Sequence, residues 1–262
     1  MRTTFIGVGE AFDDNQLNTS LLVETAESSL LLDCGFTAPM GFWKAAAHPL
    51  DLQAIYISHF HGDHFFGLPA LLIRMRQEGR TAPLTILGQP GVEAVVGQTI
   101  ELAYPGSLAK ASFDVSFIEC VAGQNILFED MRLGFALSDH PRPCLAIRVD
   151  SGDSALFYSG DGGATDDTAA LAAGVDLIVH ESFTLDADNP GHGTVDASID
   201  FARRAGARQL ALVHIERDVR TRQYDQLQQR ISTSQQPHVI VPESGDSITI
   251  TSRKVDNLTS PV

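Results

Sequence analysis

The sequence predicts a four-layer αββα sandwich of the α/β (α+β) class, with two β-sheets face to face and helices covering both outer faces. Short apolar runs of strand length stand on both sides of the helical segments, and helices alternate with strands in the last third of the chain. The chain has 262 residues, 44% of them apolar and 19% charged, which suits a large globular core. Because no linker-like or repeated stretch divides it, we expect a single domain over residues 1–262 with a polar, mobile tail at 253–262.

In the first part of the chain, apolar runs bounded by turn residues predict five strands. These are Thr3–Val8, Ser20–Glu24, Ser29–Asp33, Asp51–Ser58 and Leu84–Leu87. Apolar residues at helical spacing predict three helices, the second of which ends at Gly79. These are Pro39–Ala47, Leu68–Glu78 and Gly91–Ala103.

The middle of the chain returns to β-structure, with five strands in succession. These are Phe113–Glu119, Ile126–Phe128, Met131–Leu137, Cys144–Val149 and Ala155–Ser159. In the last third, helices and strands alternate. The helices are Asp167–Ala172, Val195–Ala205 and Gln223–Ile231, and the strands are Leu177–His180, Gln209–His214, Val239–Val241 and Ser247–Thr251.

The composition excludes several classes of function. The formal net charge is −15, and such a surface repels nucleic-acid backbones, so extended nucleic-acid binding is not expected. No stretch approaches about 18 uncharged apolar residues, and the N-terminus lacks the basic start and apolar run of a secretory signal. Cys34, Cys120 and Cys144 are too widely spaced for a metal-binding pair. We therefore expect buried thiols in a cytoplasmic protein without membrane contact.

The strongest chemical signal is the run SHFHGDH from Ser58 to His64, which follows an apolar strand. Three imidazoles and a carboxylate this close are costly to bury unless they bind something, and neutral imidazole is the commonest metal ligand. His59 and His61 are two residues apart, so an extended loop points both toward one ion. Asp63 and His64 follow the glycine turn and can face a second ion. A solvated histidine-rich loop is the alternative interpretation.

A metal ion needs more ligands than one loop supplies, and three further strands end in residues of the right type. His140, Asp161 and His214 each stand at the C-terminal end of an apolar strand, where loops build sites on a rigid scaffold. A lone His or Asp in such a place is usually a surface or turn residue. Together with the histidine run, however, they give five His and two Asp, which is enough for two adjacent ions.

These residues, in this order, resemble the binuclear metallo-β-lactamase superfamily, and the likeness extends to about Ser252. The segments Phe5–Gly9 and Leu31–Gly35 resemble the first strands of that family. The resemblance implies that Asp33 buttresses the histidine loop. It also implies two divalent metal ions, with Zn²⁺ favoured and Mn²⁺ or Fe²⁺ as alternatives, and a nucleophilic water between them.

The resemblance also assigns the metal ligands to two sets that share one bridging carboxylate. The sets are His59, His61 and His140 for one ion, Asp63, His64 and His214 for the other, and Asp161 for both. Asp63 is counted among the catalytic residues as well as among the ligands.

The last third resembles the ribonuclease Z and small phosphodiesterase branch of that superfamily. Residues 178–182 (IVHES) and 191–194 (GHGT) resemble the His-Glu segment and the following histidine of the branch. The resemblance implies that His192 supports the phosphate transition state or protonates the leaving oxygen, and that Glu181 orients it. A loop histidine in an Asn-Pro-Gly turn is the alternative for His192. His180 is expected to lie beside the site, not on the metal.

One connection departs from the pattern of bacterial ribonuclease Z, in which a long insertion forms the arm that grips transfer RNA. Here only Pro141–Gly160 separates His140 from Asp161. The short connection resembles the phosphoribosyl cyclic phosphodiesterases of phosphonate breakdown, although the N-terminal zinc-binding cysteines of that enzyme are absent from this sequence.

The sequence therefore predicts a metal-dependent phosphodiesterase that hydrolyses a small or cyclic phosphodiester. Three alternatives stay open: a ribonuclease Z-type endonuclease acting at RNA 3′ ends, a thioester, lactone or β-lactam hydrolase on the same metal site, and a non-catalytic binding module. The expected partner is a small-molecule phosphodiester substrate. Whether the chain forms a homodimer is left open.

Overall fold

A computed structural model of the chain describes residues 1–186, 189–251, 254–255 and 258–260. Part of the predicted tail lies outside the described residues, so its mobility stays a prediction. Within the described residues, no helix is both long enough and apolar enough to cross a membrane.

The strands fall into two groups that build two sheets. The first group is β1 (Arg2–Gly7), β2 (Ser20–Glu24), β3 (Ser29–Leu32), β4 (Ala54–Ile57), β5 (Leu84–Gly88) and β6 (Val115–Glu119), joined by β14 (Ser247–Thr251) and β15 (Lys254–Val255). The second group is β7 (Asn125–Phe128), β8 (Met131–Leu137), β9 (Leu145–Ser151), β10 (Ser154–Tyr158), β11 (Leu177–Glu181), β12 (Gln209–Val213) and β13 (His238–Ile240). Their orders are β15-β14-β1-β2-β3-β4-β5-β6 and β13-β12-β11-β10-β9-β8-β7.

The α-helices lie between these strands in the chain. They are α1 (Ala38–Ala45), α2 (Gly62–Phe65), α3 (Leu68–Gln77), α4 (Val92–Ala103), α5 (Asp166–Ala172), α6 (Val195–Ala205), α7 (Arg217–Thr221) and α8 (Tyr224–Thr233). Short 3₁₀ turns occupy Pro49–Asp51 and Leu108–Lys110. The strand predicted from Asp51 therefore begins only at Ala54, because the preceding residues form a Pro-initiated turn.

Three apolar layers hold the sandwich together. Phe5, Tyr56 and Phe135 belong to the layer between the two sheets, and the aromatic rings of Tyr56 and Phe135 stack at 5.7 Å. A second layer lies between the first sheet and helices α1, α3 and α4, and a third lies between the second sheet and helices α5, α6 and α8. The predicted four-layer αββα sandwich is confirmed.

One edge of the sandwich gathers the carboxyl ends of several strands. β3, β4 and β5 pair in parallel in the first sheet, and β10, β11 and β12 pair in parallel in the second. Loops that leave the carboxyl ends of parallel strands meet at one edge, where open sheets bind their ligands. The histidine run follows β4, and the other predicted ligands follow strands of the second sheet. The fold therefore positions the chemistry where the two sheets meet.

Candidate metal centre

The structure brings together all seven residues that the resemblance assigns to the metal. Two groups have ligand-type atoms within 4.8 Å of one another, and Asp161 belongs to both. The groups are His59, His61, His140 and Asp161, and Asp63, His64, Asp161 and His214. They reproduce the two implied sets and the shared carboxylate.

The first group is a convergence of ring nitrogens. His59 Nε2 lies 3.0 Å from His61 Nδ1, which lies 3.3 Å from His140 Nε2. Asp161 Oδ2 is 3.7 Å from His59 Nε2. The Nε2 lone pairs of His59 and His140 both point at His61 Nδ1 and repel each other, and one proton on His61 Nδ1 is all that the three nitrogens can share. A cation among these atoms would remove the repulsion, so the first group fits a metal ion.

The second group contains buried polar atoms that have no hydrogen-bond partner. His64 Nε2 is 3.2 Å from both Asp63 Oδ2 and Asp161 Oδ1, and His214 Nε2 is 3.4 Å and 3.5 Å from the same two carboxylates. Within the described residues, His64 Nε2 and Asp161 Oδ1 make no hydrogen bond of acceptable geometry. A metal ion would satisfy both, so this group also fits.

Asp33 decides which ring nitrogen one histidine of each group presents to the site. Its Oδ2 accepts from His64 Nδ1 at 2.8 Å and from Ser58 Oγ at 2.7 Å. Because the Ser58 hydroxyl proton is used in this way, its oxygen is free to accept from His59 Nδ1 at 3.1 Å. His59 and His64 therefore carry protons on Nδ1 and present the Nε2 lone pair. The predicted buttressing by Asp33 is what the structure shows.

The carboxylates and imidazoles of the second group shift one another's pKa values. Burial disfavours the ionised carboxylate of Asp161, but nearby His214 and His64 outweigh it and hold its pKa well below the usual range. Burial likewise disfavours protonated His214, yet Asp161 and Asp63 raise its pKa to about 9. Asp161, Asp63 and Asp33 also raise the pKa of His64 against the effect of burial. A divalent ion would compete with a proton for the His214 nitrogen.

His192 lies beside the metal groups and is held by a buried carboxylate. Glu181 is fully buried, and its Oε1 accepts from His192 Nδ1 at 2.6 Å and from Gly193 N at 3.0 Å. Its Oε2 accepts from Gly162 N at 2.5 Å. Burial lowers the pKa of His192, but the hydrogen bond and charge of Glu181 raise it above the ordinary value. Glu181 therefore holds the His192 ring through a hydrogen bond, whereas the catalytic role that the resemblance implies for His192 stays a prediction.

A third grouping of ligand-type atoms overlaps this pair. It consists of Asp161, Glu181, His192 and His214. Both oxygens of Glu181 already accept hydrogen bonds, from His192 and from two backbone amides. A carboxylate so engaged is poorly placed to bind an ion, so we assign the metal to the first two groups and leave the Glu181–His192 pair outside.

The cavity next to His140 and His192 measures about 430 Å³ and is also lined by Asp139, Pro141 and Asn189. A larger groove of about 690 Å³ lies between α6 and α8, but its lining includes none of the residues of the metal groups. The chemistry therefore favours the smaller cavity as the place where a substrate meets the site.

Sequence reasoning missed two aromatic residues of the site. Tyr158 donates its hydroxyl to Asp33 Oδ2 at 2.7 Å, and the ring of Phe183 stacks on that of His192 at 4.8 Å. Neither position carried a local signal, since Tyr158 stands in an apolar strand that reads as core and Phe183 is a single aromatic residue between Ser182 and Thr184. His180, expected beside the site, donates from Nδ1 to the Glu181 carbonyl at 2.6 Å.

Comparisons with known proteins agree with this geometry. The family described as Anti-Pycsar protein Apyc1 matches residues 1–238. Ribonuclease Z of Methanothermobacter thermautotrophicus is 26% identical over 270 residues, covering 82% of this chain and 86% of that protein. The metallo-β-lactamase fold protein YhfI of Bacillus subtilis has a TM-score of 0.78 at 25% identity, covering 94% and 98% of the two chains. The short form of human tRNase Z has a TM-score of 0.78 at 23% identity, covering 96% and 100%.

Replacing Asp161 by Ala should weaken both metal positions at once, because its carboxylate belongs to both groups. Two adjacent cations without a bridging anion repel each other, and we expect at least about a tenfold loss of zinc affinity at each position. Elemental analysis and chelator competition would measure it, with about two ions per chain expected in the wild type. Asp139→Ala is the control, because the carboxylate that it removes is exposed and belongs to neither metal group. A variant that retains wild-type zinc content would contradict the bridging role.

Zinc binding should release protons at neutral pH. His214, with its pKa raised to about 9, is protonated near pH 7 in the metal-free protein, and zinc needs that nitrogen's lone pair. Protons therefore compete with zinc, and the apparent affinity should rise between about pH 6 and 8. Calorimetric titration in buffers of different protonation enthalpy would count the released protons. Equal affinity across that range, with no proton release, would contradict this prediction, because zinc binding would then not deprotonate His214.

Proposed function

The chain belongs to the Anti-Pycsar protein Apyc1 family, and from this premise we propose that it hydrolyses a small or cyclic phosphodiester. Its metallo-β-lactamase fold and its likeness to ribonuclease Z make it a metal-dependent hydrolase of the nuclease or phosphodiesterase kind, which confirms the predicted enzyme class. The observation that carries the phosphodiester chemistry is the Glu181–His192 pair beside the metal groups, and the short connection after His140 supports a small substrate. Zinc is the ion we propose, because both groups combine imidazole with carboxylate.

Hydrolysis of a phosphodiester adds water to phosphorus, breaks one P–O bond and leaves an oxygen that needs a proton. Two divalent ions bound by the seven ligands would activate that water and neutralise charge on the phosphate. The chain itself must supply the proton for the leaving oxygen. A histidine held by a carboxylate suits this at neutral pH, because its pKa lies above that of a free imidazole.

His192 is placed so that its second nitrogen is free for a substrate. Glu181 occupies Nδ1, so Nε2 is the nitrogen left to donate. The ring lies 5.4 Å from that of His140 and 6.1 Å from that of His214, parallel to the latter within 11°. Its side chain is 23% exposed, so a substrate can reach it. A phosphate bound at the two metal positions would therefore have an acid beside it.

Several features support a small substrate. The segment after His140 forms only the β9–β10 hairpin, closed by a turn at Gly152 and Asp153, so the connection offers no arm. The cavity of about 430 Å³ beside His140 and His192 is of the size that small-molecule sites have. The net charge of −15 disfavours a long polyanion.

Ribonuclease Z-type cleavage of RNA is the second candidate. The curated relative of that name covers 82% of this chain, and the metal groups and the Glu181–His192 pair would serve either substrate. Hydrolysis of a thioester is a weaker candidate, because a thiolate leaves without an acid positioned in this way.

A substrate panel separates the candidates. Zinc- and manganese-loaded protein would be assayed with cyclic nucleotides, cyclic ribose phosphates, transfer-RNA precursors and S-lactoylglutathione. We expect turnover of a small cyclic phosphodiester and at least about tenfold lower kcat/KM on the RNA. Efficient cleavage of the precursor RNA alone would favour the second candidate, and activity on the thioester alone would overturn the phosphodiesterase proposal.

His192→Ala should lower kcat by roughly 10²–10⁴-fold, the usual contribution of a positioned general acid, without changing zinc content. The loss should shrink for bis(p-nitrophenyl) phosphate, because p-nitrophenolate leaves without much proton assistance. Glu181→Gln should show a weaker form of the same pattern, since it alters only the orientation of the imidazole.

His238→Ala is the matched control, since this exposed histidine lies on β13, outside the metal groups. A zinc-depleted His192 variant would mean that His192 is a ligand. Unchanged kinetics on every phosphodiester would leave it a loop residue and remove the main support for the proposal.

A further inference from the structure

The segment that carries His192 connects β11 to α6 and is closed at its base by backbone hydrogen bonds. Phe183 N donates to Gly193 O at 2.9 Å, and Val195 N donates to Thr184 O at 2.8 Å. The side chain of Thr194 then accepts from Ala197 N at 3.1 Å and caps α6. His192 is thus fixed from its C-terminal side by a capped helix.

The tip of this segment is a preformed turn. In the sequence Asn189-Pro190-Gly191-His192, the amide of His192 donates to the carbonyl of Asn189 at 2.9 Å. Pro precedes Gly at the two central positions, and Gly191 has φ +83°, as a type II turn requires. A side chain at the second central position would be strained, so the local sequence favours this one conformation.

The turn also contacts a metal ligand of the first group. His140 Nδ1 donates to the carbonyl of Gly191 at 2.7 Å. A carbonyl can only accept, so this bond keeps the proton on Nδ1 and turns Nε2, with its lone pair, toward His61 and the first group. The contact is close: a Cβ on Gly191 would lie 2.2 Å from Cδ of Pro141, the residue after His140.

We propose that Gly191 is a positioning residue that couples the first metal position to His192. One turn places the carbonyl that orients His140 and, at the next residue, the imidazole that faces the substrate. Displacement of this turn disturbs both, so neither the first ion nor His192 is placed independently of the other. The part of this proposal that concerns His192 rests on the proposed function, whereas the part that concerns the first metal position does not.

Gly191→Ala tests the coupling, and Gly79→Ala is its matched control. Gly79 has nearly the same φ, +81°, but open space around its Cβ, so it reproduces the backbone strain without the collision. Zinc affinity would be measured in a His214→Ala background, which keeps the first group intact. We expect Gly191→Ala to lower that affinity by about 10–100-fold, as loss of a ligand's outer hydrogen bond does, and Gly79→Ala to leave it unchanged.

Two further measurements make the test specific. In a His140→Ala background Gly191→Ala should have no further effect on zinc binding, because the histidine it orients is gone. At saturating zinc, with all ligands present, Gly191→Ala should lower kcat for a poor leaving group, and this loss should be smaller in a His192→Ala background, where only the effect through His140 remains. Pro190→Ala, which loosens the turn without a collision, should act in the same direction and replaces Gly191→Ala if that variant does not fold.

The outcomes separate the alternatives. A folded Gly191→Ala variant with wild-type affinity at the first group would overturn the proposal, as would a loss that is equal in the Gly79→Ala control. Loss of turnover without loss of zinc affinity would mean that Gly191 positions His192 alone, and it would overturn the coupling. If the wild type hydrolysed no phosphodiester, the proposed function would fail, while the zinc titrations would still decide whether Gly191 orients His140.

Discussion

The site depends first on one buried carboxylate, that of Asp33. Through Ser58 it orients His59 of the first metal group, and directly it orients His64 of the second. A histidine can bind a metal through either ring nitrogen, and the hydrogen bond on the other nitrogen selects which one. Tyr158, on the opposite sheet, donates to the same carboxylate. One histidine in each ligand group is therefore oriented by a single carboxylate held between the two sheets.

The backbone at the site is held in conformations that its residues do not favour. Asp33 has φ +59° and His214 has φ +53°, the left-handed region in which non-glycine residues cost of order 1–3 kcal/mol. Each is fixed by a backbone hydrogen bond to a neighbouring strand or its end, Asp33 N to Tyr56 O at 2.7 Å and His214 N to Val8 O at 2.8 Å. Packing of the apolar core between the sheets offsets the free-energy cost of this strain. The positions of the ligands therefore depend on the whole sandwich.

The sequence predicted the parts of the site whose signals are local. His140, Asp161 and His214 could be found without a structure, because each is a ligand-type residue at the end of an apolar strand and together they complement the histidine run. Tyr158 could not, because its partner is 125 residues away and a tyrosine in an apolar strand looks the same whether or not its hydroxyl is used. The carbonyl of Gly191 carried no signal either, since every residue has one.

The same distinction between local and distant interactions holds for the fold. Strands and longer helices were predicted because their apolar periodicity extends over enough residues to be read. The helices Gly62–Phe65 and Arg217–Thr221 were missed, since four or five residues do not complete a periodic pattern. Both are short helices beside the site: the first contains two predicted ligands, and the second begins three residues after His214.

The distribution of charge gives a physical basis for selecting by size. At physiological ionic strength an exposed charge is screened beyond roughly 8 Å, so a small phosphodiester inside the cavity would respond mainly to the charges immediately around it. Those would include two divalent ions and His192, and they would attract a phosphate. A long nucleic acid would in addition lie across a surface whose formal net charge is −15 and would be repelled along its length. Within the proposed function, therefore, the metal groups would recognise the phosphodiester, and the acidic surface would favour substrates small enough to meet the site alone.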